Sequence, residues 1–283
     1  MIETLTAAGI MLGLTAFFGS VLAVSHRWLR VEEDPRIEEV SAKLPGTNCG
    51  NCGRPGCLTF AEGLVDGSAK PGECTVSSPE ALRLIAGFLG IDVGLKEKRV
   101  ARLHCAGGRS SVRKIADYHG IPSCRAAFVV NGGGRACSWG CLGFGDCERA
   151  CTFDAIRMND EELPVVDVDG CTACNDCVEV CPLDLFTLEP ISSRVIVQCS
   201  APLTAEAARS ACRVACDACG RCAVDAPPGV IEMVGGLPVI NEPARATLDC
   251  TLRCPTGAIQ VVEGNQFAPA PAPLTVSLGG TGA

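Results

Sequence analysis

Cys171, Cys174, Cys177 and Cys181, followed by Pro182, spell C-x2-C-x2-C-x3-C-P, the spacing that holds iron-sulfur cubanes. A tight loop at this spacing presents three thiolates to three corners of one cluster, while the fourth cysteine leaves on the next element and faces a neighbouring cluster. Zinc sites also use C-x2-C pairs, and cysteine-dense chains are often disulfide scaffolds. The three-step repeat ending in C-x3-C-P selects iron-sulfur chemistry over both. The chain holds 21 cysteines in 283 residues, nearly all in close groups, so the same question extends to most of its length.

A stretched version of the motif precedes the regular one, with Cys137, Cys141, Cys147 and Cys151 in C-S-W-G-C-L-G-F-G-D-C-E-R-A-C. In a two-cluster unit the last cysteine of each motif ligates the other motif's cluster. One cluster is therefore expected on Cys137, Cys141, Cys147 and Cys181, and another on Cys151, Cys171, Cys174 and Cys177. Nearer the N-terminus, Cys49, Cys52, Cys57 and Cys74 stand in a glycine-rich loop and just beyond a short amphipathic stretch, enough for a self-contained 4Fe-4S cluster. A four-cysteine zinc knuckle is the alternative there.

The last group is incomplete. Cys216, Cys219 and Cys222 keep the register, but Ala226 stands before Pro227 where the fourth cysteine belongs. Counting back from Cys254 and Pro255, positions 250, 247 and 244 hold Cys250, Thr247 and Ala244. One cluster on Cys216, Cys219, Cys222 and Cys254 is expected, with Cys250 a leftover thiol. Cys105, Cys124, Cys199 and Cys212 remain, scattered singly, as a candidate fifth cluster. Four motif-based 4Fe-4S clusters and this fifth account for every cysteine except Cys250.

Positioning these loops requires short helices and hairpins rather than a large core. Only 4% of residues are aromatic and 32 are glycine, so metal ligation itself must contribute folding free energy. The fold class expected is α+β: an N-terminal transmembrane helix, a small helical 4Fe-4S domain, tandem ferredoxin-like domains of which the second is degenerate, and a disordered tail. The divisions are 1–30 (anchor and basic flank), 31–95 (4Fe-4S cluster domain), 96–135 (connecting segment with Cys105 and Cys124), 136–190 (two-cluster unit), 191–265 (degenerate unit) and 266–283 (tail). Pro35 to Leu44 reads as a helix, and Ser78 with Pro79 as the cap and first turn of another over Glu80 to Leu89. Short strands fit Phe153 to Met158 and Leu163 to Val168. A hairpin fits Val230 to Ile240 through Gly235 and Gly236.

Leu5 to Val24 is apolar and uncharged, long enough at about 1.5 Å per residue to cross a core of about 30 Å. Met1-Ile2-Glu3 does not supply the basic start of a cleaved signal peptide. The flank carrying His26, Arg27, Trp28 and Arg30 places the C-terminal domains on the cytoplasmic side of a bacterial inner (plasma) membrane, in a single-pass topology. A reducing compartment disfavours disulfides there. A net charge of -8 argues against a nucleic-acid partner. No P-loop or dinucleotide fingerprint is present, and no catalytic constellation can be named. His26, His104 and His119 read as structural or solvated. The basic run Lys96 to Arg102 reads as a solvated face, or as a docking patch for an acidic redox partner.

The order of anchor, C-x2-C-x4-C-x16-C, C-x3-C-L-G-x-G-D-C-x3-C and full ferredoxin motif resembles the iron-sulfur B subunit of the Rnf electron-transport complexes, from Leu5 to about Glu263. The resemblance implies a membrane-anchored electron-transfer subunit that accepts electrons from reduced ferredoxin. It would relay them to other membrane subunits of an ion-translocating ferredoxin:NAD oxidoreductase complex, with no bond-making site of its own. The alternative is an iron-sulfur redox-sensing or cluster-assembly scaffold at the membrane.

Overall fold

The computed structural model describes residues 2–29, 34–94 and 97–268. Helix α1 (Ile2–Leu29) opens the chain. Its Ala8–Trp28 stretch has a mean hydropathy of 1.9 and is not buried by the other described residues. Among the described residues it is one helix long and apolar enough to span a membrane, and it supports membrane association.

A small helical unit follows. Asp34 caps α2 (Pro35–Lys43) through the Arg36 N–H, and Ser78, as read from sequence, likewise caps α4 (Pro79–Leu89) through the Ala81 N–H. Between them, α3 (Cys57–Val65) packs on α2, burying Val40, Phe60, Leu64 and Ile85.

The remainder consists of two units with the same pairing. The first contains β1 (Arg99–Leu103), α5 (Cys124–Val129), α6 (Asp146–Ala150), β2 (Ile156–Met158), β3 (Pro164–Val166), α7 (Asp176–Val180) and β4 (Phe186–Pro190). The second contains β5 (Val195–Val197), α8 (Ala205–Ala211), α9 (Arg221–Asp225), β6 (Ile231–Val234), β7 (Leu237–Ile240), α10 (Asp249–Leu252) and β8 (Ile259–Val261). In each, an inner hairpin, β2–β3 or β6–β7, lies in the chain between the members of an outer antiparallel pair, β1–β4 or β5–β8. Gly235 and Gly236 both take positive φ at the tip of the second hairpin, the backbone a two-residue turn demands.

The outer pairs reset the boundaries. β1 lies in the segment 96–135, read from sequence as a connection, yet it pairs Arg99 with Pro190 and Leu103 with Phe186 and belongs to the first unit. Arg102, read as part of a solvated basic face, is 1% exposed. Its guanidinium Nη1 donates to the Gly264 carbonyl at 2.8 Å. Lys96 lies outside the described residues. The chain end also returns to this strand: Gln266 accepts from the Leu103 N–H at 2.9 Å and donates to its carbonyl at 2.8 Å. Gln266 and Phe267 thus pack against the first unit, whereas composition placed them at the start of a tail. Residues 269–283 lie outside the described part.

Candidate iron-sulfur sites

Cys49, Cys52, Cys57 and Cys74 come together around a loop whose Gly46, Gly50 and Gly53 all take positive φ. Asn48 Oδ1 accepts from the Cys57 N–H at 2.8 Å, and Asn51 donates to Thr75 at 2.7 Å, tying the loop to the Cys74 segment. Burial pushes the Cys52 thiol up, and Cys74 and Cys49 add to this from close range.

In the first ferredoxin-like unit, Cys151, Cys171, Cys174 and Cys177 line one cavity, walled by Ala101, Phe153, Ile156 and Leu188. Ala173 and Asn175 take positive φ, turning the loop tightly enough to bring its three cysteines to one side. Burial pushes Cys174 up to about 11 and Cys177 up to about 12. The Ala155 N–H donates to Cys151 Sγ at 3.3 Å.

The second unit brings Cys216, Cys219, Cys222 and Cys254 around a cavity with Met233, Pro238 and Ile259. Burial pushes Cys216 up to about 11. It also pushes on Cys254, but the backbone N–H groups of Ile259, Thr256 and Ala258 and the Thr256 hydroxyl outweigh it and hold that thiol below its ordinary value. Where the symmetric second site of this unit would lie, Cys250 is 1% exposed among Val195, Val230, Ile231 and Ile259, with Ala226 and Ala246 beside them. Apolar side chains fill that place.

The remaining eight thiols divide differently from the expected sets. One cavity gathers Cys124, Cys141, Cys147 and Cys181 with Leu103, Leu142 and Phe186. Burial pushes Cys147 up to about 12, with Cys124 and Cys181 adding to it. A second cavity gathers Cys105, Cys137, Cys199 and Cys212, with Cys141 at its edge. Spacing had placed Cys137 with Cys141, Cys147 and Cys181, and Cys124 with the scattered three; in the structure Cys137 and Cys124 exchange places. The reason is local anchoring. Asp146, which opens α6, accepts from the Ser123 hydroxyl at 3.0 Å and the Arg125 N–H at 3.2 Å, drawing Cys124 alongside Cys147. Cys137 instead packs with Cys199, Cys212 and Cys216.

Each cavity offers four sulfur donors in a mainly apolar wall, the donor set of a 4Fe-4S cluster. Thiols held protonated by burial must lose their protons to ligate, so metal entry is coupled to proton release. His104 is no ligand: its Nδ1 lies 2.7 Å from the Val197 carbonyl and its Nε2 2.6 Å from the Thr187 hydroxyl.

Two iron-sulfur family models match the chain. Residues 44–76 match an Fe-S cluster family, and residues 138–188 match the 4Fe-4S dicluster domain. The B subunit of an ion-translocating oxidoreductase complex from Methanosarcina acetivorans is 32% identical over 258 residues, 91% of this chain and 98% of that protein. The chain belongs to the Rnf B-subunit family. The B subunit of the proton-translocating ferredoxin:NAD(+) oxidoreductase complex of Clostridium ljungdahlii is 36% identical over 257 residues, 89% of this chain and 90% of its own length. Its Na(+)-translocating counterpart from Acetobacterium woodii is 40% identical over 212 residues, 75% of this chain and 64% of that relative, so the chain spans under two thirds of the latter. An iron-sulfur electron-transfer role within a multi-subunit Rnf complex follows.

Sequence reasoning missed the residues that shape the cavities without ligating. Gly107, Gly140 and Arg102 carry no metal-binding signature; only the adjacent cysteines in C-A-G-G and C-S-W-G-C hinted at the glycines.

Proposed function

We propose that this Rnf protein accepts electrons one at a time from reduced ferredoxin on the cytoplasmic side of the membrane and relays them to the other subunits of its complex. The adjacency of the thiol cavities carries the reading. Cys147 stands close enough to Cys177 to influence its thiol, and α6 packs against α7. Clusters bound in these cavities supply reversible one-electron storage, at potentials that for cysteine ligation reach roughly -400 mV and below.

The chain's own part is to hold, insulate and orient. Cys49, Cys52, Cys57 and Cys74 form one ligand set, Cys151, Cys171, Cys174 and Cys177 another, and Cys216, Cys219, Cys222 and Cys254 a third. Backbone N–H groups directed at sulfur, such as Ala155 on Cys151, favour added negative charge and so raise the potential. The exposed Cys49 and Cys219 put one edge of the first and third sets near solvent, where a soluble donor can approach. The basic flank of α1 supports the cytoplasmic assignment.

Anaerobic purification from membranes, iron and acid-labile sulfide analysis, and stopped-flow mixing with reduced ferredoxin test this. Bleaching of the cluster absorbance by ferredoxin supports the reading. Reduction by dithionite but not by ferredoxin overturns the donor, and transfer of iron to an apo-acceptor without ferredoxin-driven reduction favours the assembly-scaffold alternative.

A further inference from the structure

Four cysteines that no motif unites line the cavity between the two ferredoxin-like units. Cys105 follows β1, Cys137 precedes α6, Cys199 follows β5 and Cys212 ends α8. All four are buried, at 6%, 7%, 9% and 6% exposure, so the site is shielded from water. Glycine keeps the space open at two points. A Cβ on Gly107 would stand 3.2 Å from Cys212 Sγ and 3.4 Å from Cys105 Sγ, and one on Gly140 would stand 3.4 Å from Cys137 Sγ and 3.6 Å from Cys105 Sγ. The sulfurs therefore converge across two cradles that any side chain would fill. Arg135, itself 6% exposed, holds one cradle in place through an ion pair with Glu162 at 2.6 Å and a bond to the Gly107 carbonyl at 3.3 Å.

We propose that Cys105, Cys137, Cys199 and Cys212 ligate a 4Fe-4S cluster that joins the two units, and that Cys124 completes the neighbouring set with Cys141, Cys147 and Cys181. The proposal rests on the iron-sulfur reading above. On loading with iron and sulfide, each of the four S–H bonds is replaced by an Fe–S bond and its proton passes to solvent, with no change of oxidation state required of sulfur. The position makes this site the link of the relay. On one side the Cys141 N–H donates to Cys105 Sγ at 3.2 Å, joining it to the Cys124 set. On the other, Cys216 of the last set lies in the same buried cluster as Cys137, Cys199 and Cys212, close enough to Cys199 for the two thiols to influence each other. Among the described residues it is thus a thiol site adjoining both the first unit's cavity and the second's.

Iron counts on the full-length chain, reconstituted anaerobically, test the grouping through paired substitutions. Cys137→Ser with Cys212→Ser should lose no more iron and no more EPR spin than either alone, because both act on one cluster. Cys137→Ser with Cys147→Ser should lose twice as much as either. The reverse pattern, with the Cys137 and Cys147 losses coinciding, overturns the assignment while leaving the iron-sulfur reading intact; a chain that binds no iron at all sinks that reading instead. Should any cysteine variant fail to fold, Gly107→Ala is the milder probe. Its methyl should alter the EPR signal of one cluster, the one lost in Cys212→Ser or Cys199→Ser preparations. Signals identical to wild type at native iron content would refute the site.

Discussion

Adding an electron to a buried cluster is easier beside a buried positive charge, and Arg102 supplies one. Its guanidinium is almost fully enclosed, and its Nε has no hydrogen-bond partner among the described residues. Burial lowers its pKa, opposed through space by Cys171 and then Glu189, so the cation lies within electrostatic reach of a candidate cluster ligand. Arg102→Gln keeps the shape and removes the charge. The midpoint potential of the cluster held by Cys151, Cys171, Cys174 and Cys177 should become more negative in an EPR redox titration; an unmoved potential would deny Arg102 this influence. Cys250 makes the opposite case, a thiol with no site. Buried among apolar side chains, it should be replaceable by serine without loss of iron, whereas Cys254→Ser removes a cluster. Equal iron loss in both variants would reinstate a site in that place.

At the scale of elements, the outer strand pairs and the returning chain end hold the first unit closed. Gln266 makes two hydrogen bonds to the backbone of Leu103, both buried. Gln266→Ala leaves a buried N–H and a carbonyl without partners, a loss of roughly 2 kcal/mol. Chemical denaturation should register that loss, with the cluster content of the small helical unit unchanged. The local elements were legible in sequence: the Ser78 cap, the short strands that become β2 and β3, and the Gly235-Gly236 hairpin follow from residue types within a few positions of each other. β1 was not, because a five-residue strand buried along nearly its whole length shows no alternation of apolar and polar residues. Its two arginines gave it the look of a solvated face.

Across the whole molecule, buried thiols make stability depend on metal and on pH. Cys105 and Cys216 are raised to about 11 and Cys147 and Cys177 to about 12, above the ordinary thiol range. The cluster-free fold therefore keeps its protons where the unfolded chain sheds them. This contribution is complete below about pH 8.5 and is lost as pH rises toward 11 to 12. Urea midpoints of cluster-free protein should fall through that window, while cluster-loaded protein, its thiols already ligated as thiolates, should show a smaller fall. Deleting residues 1–29 should release the chain from membranes with its iron content intact, since the described residues leave the apolar stretch of α1 unburied.

The sequence by itself determined the iron-sulfur chemistry and the apolar N-terminal helix, and it grouped Cys151 with Cys171, Cys174 and Cys177, which line one cavity in the structure. A loop of two or three residues can reach only one place, so spacing alone specifies the geometry. Tertiary structure decided which of Cys124 and Cys137 joins which cavity, that Arg102 is buried, and that Cys105, Cys199 and Cys212 meet at all. Closing a long loop costs only slightly more than closing a somewhat shorter one, so distant cysteines have many partners of nearly equal entropic cost. The choice among them passes to packing and anchoring contacts, here the bonds of Asp146 beside Cys124 and the Gly107 and Gly140 cradles beside Cys105.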